Sequence, residues 1–118
     1  MHVNVDGTEA PFTRRIKVCH ISDCHSINDN RIFLKECTSL SRDGYSVTLI
    51  AIGESDIENG VTRIGIQRRG LVGRIFKTRT EILRHIERLN PDIVHLHDPT
   101  LLLLVRPLKR RSMKIIFD

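Results

Sequence analysis

The chain has 118 residues, of which 40% are hydrophobic and 28% charged, enough for one modest globular domain with a real core and too few for two. Its net charge of +5 is uneven, with 6 basic and 9 acidic side chains in residues 1–60 against 13 basic and 5 acidic in residues 61–118, a bias toward an anionic partner in the second half. No apolar run approaches the roughly 18 residues of a membrane span, and Met1 to Thr13 lacks the apolar centre of a secretory signal, so a cytoplasmic protein is expected.

Residues 1–15 read as a disordered leader and 16–118 as the domain. IKVCHIS (16–22) is a short apolar run suited to a buried strand. RIFLKECTSLSRDG (31–44) follows with Ile32, Phe33, Cys37 and Leu40 along one helical face, Asp29 or Asn30 placed to cap it and Gly44 to end it. YSVTLIAI (45–52) is a second strand, which completes a βαβ unit. VTRIGIQ (61–67) alternates like a strand, but GESDIENG (53–60) is too short for a crossover helix and Asn59-Gly60 signals a hairpin. This third strand is therefore either an antiparallel edge or is reached by an extended return segment, and the pattern leaves its direction open.

Residues 74–89 repeat apolar positions at Ile75, Ile82, Ile86 and Leu89, an amphipathic helix ended by Asn90-Pro91. DIVHLHD (92–98) is the fourth strand, 99–110 a helix that Pro107 interrupts or shortens, and MKIIF (113–117) the fifth strand. The alternation predicts an open, doubly wound, mostly parallel α/β sheet of about five strands in the order 3-2-1-4-5, with helices on both faces.

In such a sheet a ligand sits outside the carboxyl ends of the strands where their order reverses, here between strands one and four. Those ends carry Ser22, Asp23 and His25 on one side and His97 and Asp98 on the other. Alternation places His95 and His97 on one face, with His97 and Asp98 expected at the exposed rim and His95 as a core imidazole bonded to a carbonyl. On that reading, truncating His97 or Asp98 costs little stability and truncating His95 costs more. Cys19, Cys24 and Cys37 form no CxxC and fit a reducing compartment. His20 and His25 lie near Cys19 and Cys24, but no second pair follows at finger-like spacing, so no metal is expected.

HSINDNRIFLKECTSLSRDGYSVTLIA (25–51), LNPDIVHLHDPTLLLL (89–104) and KIIFD (114–118) together resemble the amino-terminal domain of family 4 glycosyltransferases, the retaining GT-B enzymes of polysaccharide synthesis. The resemblance implies a Rossmann-like domain that receives a sugar or lipid-linked acceptor, while a carboxyl-terminal domain holds the nucleotide-sugar donor. It assigns His25, Asp29, Arg31, His97 and Asp98 to the acceptor cleft and no catalytic residue or cofactor to this chain. Two departures matter. SDCHSIND (22–29) contains no glycine, so this loop is not expected to cradle a donor phosphate, and the chain stops at Asp118, before the histidine, the glutamate pair and the second domain that the resemblance implies. A chain truncated before the donor domain is expected, inactive by itself.

RRGLVGRIFKTR (68–79) mixes Arg68, Arg69, Arg74, Lys77 and Arg79 with Leu71, Val72, Ile75 and Phe76, which suits the anionic inner face of a membrane. The alternative function is a stand-alone doubly wound binding or regulatory module for an anionic ligand. A phosphoacceptor version fits poorly, because Asp23 is solitary and strand three ends in Gln67-Arg68-Arg69. Nucleic acid is not an expected partner, since four Phe and one Tyr offer little base stacking.

Overall fold

A computed structural model of the chain describes residues 14–118. Six strands form one sheet: β1 (Lys17–Ser26), β2 (Ser46–Ile52), β3 (Asp56–Glu58), β4 (Val61–Ile66), β5 (Ile93–Leu96) and β6 (Lys114–Phe117). Their order is β3-β4-β2-β1-β5-β6, and every neighbouring pair is parallel except β3 with β4. The five expected strands keep their expected order; the addition is the three-residue edge strand β3.

That addition decides the direction of the third expected strand. β4 runs parallel to β2, and the return segment before it folds back as β3 through a turn in which Asn59 and Gly60 both take positive φ, 53° and 77°. Left-handed geometry at two successive residues suits the Asn-Gly pair. A glycine is also required at Gly65, where a Cβ would stand 1.9 Å from the carbonyl oxygen of Gly53. Arg63 of β4, only 5% exposed, binds both Asp56 carboxylate oxygens at 2.6 Å, reaches Asn28 Oδ1 at 2.7 Å and stacks 4.4 Å above the Phe33 ring. This buried, fully paired cation ties the β3 hairpin to the β1 loop and the first helix.

Three helical segments complete the layers. The first, α1 (30–42), begins with π geometry over Asn30–Cys37 and continues as α-helix over Thr38–Arg42; the Thr38 N–H and hydroxyl both reach the Phe33 carbonyl, five residues back. Gly44 at φ 96° follows it. The second, α2 (71–89), starts three residues before its expected boundary, passes through a π turn at Arg74–Thr78 and ends at Asn90 with φ 46°. The third, α3 (99–109), is a 3-10 helix over Pro99–Leu104 and an α-helix over Val105–Lys109. Pro107 is tolerated because it falls in the first turn of the restarted helix, where the N–H that proline lacks is not required.

One face of the sheet packs Cys19, Ile21, Ile50, Ile66, Val94 and Leu96 against Ile82, Ile86, Leu101, Leu104 and Leu108 of α2 and α3. The other packs Val47, Leu49, Ala51 and Val61 against Ile32, Phe33 and Cys37 of α1. Toward β5 and β6 that second face changes character: His20, His95 and Ile116 occupy one register row, and Ile116 is 42% exposed. Of the leader expected over 1–15, residues 1–13 lie outside the described residues, while Arg14 belongs to the folded body through two 2.8 Å hydrogen bonds to Asp92. Among the described residues no helix is long and apolar enough to cross a membrane.

Candidate functional site

The carboxyl ends of β1 and β5 meet where the strand order reverses, and the parallel register carries on past β5, with the His97 N–H donating to the Ile21 carbonyl at 3.0 Å. Beyond that pair the chain of β1 bulges between Ile21 and Ser26, which frees Ser22 to His25 from regular pairing and lets them curl around Asp98. Asp98 is the hub. Its Oδ2 accepts from the Ser22 hydroxyl at 2.5 Å and the Asp23 N–H at 2.9 Å, and its Oδ1 meets His25 Nδ1 at 2.9 Å. Ser22 Oγ in turn accepts from the His25 N–H at 2.9 Å.

Ser22, Asp23 and Asp98 are all buried, whereas the His25 side chain is 40% exposed. The cluster therefore offers one group to a ligand: an imidazole braced through Nδ1, with Nε2 left for an incoming hydroxyl or anion. It is not a nucleophile triad, because the Ser22 hydroxyl is buried and donates to Asp98. Cys24, 3.6 Å from His25 Nδ1, is no nucleophile either, since burial and the hydrogen bond and charge of Asp98 push its thiol up to about 11.

Two carboxyls line the floor and are driven apart. Burial raises Asp23 above the ordinary carboxylate range, opposed by its hydrogen bond from the Thr100 hydroxyl and reinforced by the Asp98 charge, while Arg74 partly offsets it. Burial acts against the charge of Asp98 as well, but the hydrogen bonds of Ser22, Cys24 and the Asp23 N–H, with the nearby His25, hold it below that range. Asp98 is thus the ionised partner that orients His25.

Asp29 and Arg31 take other positions than a shared ligand contact. Asp29 caps α1, its Oδ1 accepting from the Ile32 N–H at 2.9 Å. Arg31, exposed, bonds Asp118 at 2.8 Å and lies 3.5 Å from Glu36, joining the start of α1 to the end of β6. His97 is the clearest correction. Expected at the rim, its side chain is 0% exposed, Nε2 is 2.8 Å from His20 Nδ1, and the ring stacks on His95 at 4.3 Å. His95, expected as the core imidazole, is the more exposed of the two at 16%, and its Nε2 lacks a hydrogen-bond partner rather than meeting a carbonyl. The two rings share a face, as alternation places them; His97 is covered because the chain past β5 stays in register with β1, which holds its ring against His20 and His95 instead of at the rim.

Burial and the neighbouring imidazoles push His20 down to about 3 and His97 to about 4. Both are neutral at physiological pH. Ser22, Thr100 and Arg74 complete the surroundings of Asp98 and Asp23; a hydroxyl at the second residue of α3 was the only local signal for Thr100, and Arg74 is brought in from a distant helix. Among the described residues two groups gather metal-ligating atoms within 4.8 Å, Cys24 with His25 and Asp98, and His20 with Glu36, His95 and His97. In the first, both Asp98 oxygens are already satisfied by protein partners.

The basic stretch over 68–79 divides in the same way. Arg69 bonds Thr78 at 3.0 Å and Glu81 at 3.2 Å, Arg74 faces Asp23, and Arg79 is half-buried. Arg68 and Lys77 remain exposed beside Leu71, Val72 and Phe76, which are 56%, 70% and 65% exposed. A groove of about 450 Å³ runs along α2 there, lined by Phe76, Lys77 and Arg84.

A family model described as Glycosyltransferase Family 4 matches residues 30–117, which takes in α1, α2, α3 and five of the six strands. No curated protein and no solved structure matches the chain.

Proposed function

This chain belongs to glycosyltransferase family 4, and from that membership and the geometry at β1 and β5 we propose that it supplies the acceptor side of a retaining GT-B cleft. The donor is a nucleotide sugar held by a second domain, and the product a polysaccharide or glycoconjugate. The observation that carries the reading is the Asp98–His25 pair, 2.9 Å apart, with the carboxylate buried and the ring open to solvent at the strand ends. An ionised Asp98 fixes the ring and favours a proton on Nδ1, which leaves Nε2 as an acceptor for a sugar hydroxyl. Asp98 is a positioning residue, and Ser22 with the Asp23 N–H prevents it from turning away. Arg31 stands on the α1 side, where it can meet acceptor oxygens or a phosphate of a lipid-linked acceptor.

The buried charge of Asp98 behind His25 disfavours a diphosphate, which supports assigning the donor elsewhere. Transfer needs the acceptor oxygen and the donor carbon held together at about 3–3.5 Å while the departing diphosphate is stabilised. The 118-residue chain is therefore expected to transfer no sugar alone, and addition of a donor-binding domain is expected to restore transfer. The exposed Leu71, Val72 and Phe76 beside Arg68 and Lys77 support docking at an anionic membrane face, where lipid-linked acceptors reside.

The test is a nucleotide-sugar panel assayed with the chain alone and with its complementing domain. In the active combination, His25→Ala should lower kcat/KM for the acceptor about 10–100-fold, the loss of one well-oriented hydrogen bond to a reacting group, and leave slow donor hydrolysis unchanged. Transfer by the chain alone, or an acceptor kcat/KM indifferent to His25→Ala, would refute the assignment.

A further inference from the structure

Behind the acceptor site, on the α1 face of the sheet, three imidazoles and a carboxylate converge. His20 comes from the middle of β1, His95 from β5, His97 from the turn after it and Glu36 from α1, and one ligand atom of each lies within 4.8 Å of the others. The ring centroids are 4.3 to 5.1 Å apart. This density of imidazole is hard to account for as core packing. Of the six ring nitrogens, His20 Nε2, His95 Nε2 and His97 Nδ1 are shut off from solvent without a hydrogen-bond partner among the described residues.

The single bond inside the cluster does not resolve this. With His20 Nδ1 and His97 Nε2 2.8 Å apart, one nitrogen donates and the other accepts. In either arrangement of two neutral rings, one of their remaining buried nitrogens carries a proton with no acceptor and the other a lone pair with no donor. Buried polar atoms left in this state call for an explanation such as an ion.

We propose that His20, His95, His97 and Glu36 bind one divalent transition metal ion, with Zn²⁺ the best fit. Three nitrogens and a carboxylate oxygen are borderline ligands of the kind zinc takes in four-coordinate sites, and too nitrogen-rich for Mg²⁺ or Ca²⁺. Zinc bonds of about 2.0–2.1 Å place tetrahedral ligand atoms about 3.3–3.4 Å apart, so the cluster closes on the ion by rotation of Glu36 and by shifts of the rings that give up the His20–His97 hydrogen bond, since each neutral imidazole that coordinates through one nitrogen carries its proton on the other. An approach exists, because the Glu36 side chain is 28% exposed and His95 16%. The surrounding charges are Asp118, 3.6 Å from His97 Nδ1 and 3.8 Å from His95 Nε2, which favours a cation, and Arg31, which holds Asp118 and Glu36 and must yield part of the latter.

With four protein ligands the site is closed and its role structural. It clamps β1, β5 and α1 together directly behind the turn that carries Asp98. This assignment is independent of what the acceptor site binds.

The experiment uses the untagged full chain, stripped with chelator, and titrates Zn²⁺ against a chromogenic competitor and Co²⁺ by visible absorption. One ion per chain is expected, with an intense tetrahedral cobalt spectrum that lacks a sulfur-to-cobalt charge-transfer band. His95→Ala and Glu36→Gln, both at half-buried positions that should leave the fold intact by circular dichroism, are each expected to weaken Zn²⁺ binding at least about tenfold. Absence of binding, indifference to either substitution, or a thiolate band placing the ion at Cys24 would overturn the proposal.

Discussion

The two faces of the sheet are finished by different means. On one, α2 and α3 cover β1, β2, β4 and β5 with a continuous apolar cluster in which Ile82, Ile86 and Leu108 are fully buried. On the other, α1 covers the β4–β2–β1 half with Ile32, Phe33 and Cys37, and the remaining half holds stacked histidines beside an exposed Ile116. The same register row that would carry a third aliphatic layer carries His20 and His95 instead. The first face derives its stability from burial and dispersion, which need no partner chemistry. The second depends on polar groups finding partners, which makes it the face where composition answers to a ligand or an ion.

The contrast breaks most visibly under substitution. Ile86→Ala on the apolar face should cost about 2–5 kcal/mol, the range for removing buried aliphatic volume that cannot refill, measured by urea unfolding at neutral pH. On the histidine face, His97→Ala should cost about 1–3 kcal/mol, because it strands His20 Nδ1 and opens a space, whereas His95→Ala should cost less than about 1 kcal/mol in the metal-free chain. A larger loss at His95 than at His97 would restore the expected placement of His97 at the rim and His95 in the core.

Acidity should sharpen the same difference. His20 and His97 are held neutral at about 3 and 4, below the ordinary histidine value, so above pH about 6.5 neither state of the protein gains protons at these rings. As pH falls from there toward 4, the unfolded chain takes up protons that the folded chain refuses, and stability declines across that window. The slope should be shallower in His97→Ala, as read from thermal melts at stepped pH. Asp29→Ala is expected to cost about 1 kcal/mol for a lost helix cap and to leave the histidine slope unchanged.

Elements were legible wherever periodicity was strong. The apolar runs of β1, β2 and β5 and the spacing of Ile82, Ile86 and Leu89 announced themselves, because parallel strands buried on both faces and helices with one apolar stripe leave patterns within a few residues. The direction of β4 was not legible, since it depends on whether the eight-residue return 53–60 pairs with its own strand, and that pairing rests on Arg63 meeting Asp56, Asn28 and Phe33 together.

Sequence alone determined the family and the strand order around β1, since these follow from local pattern and the chirality of βαβ crossovers. Tertiary structure decided that Asp98 braces His25, that His97 turns inward, and that Glu36 and His20 join it. Those side chains come from segments up to 77 residues apart, and no local spacing records which of them a closing sheet brings within a few ångströms.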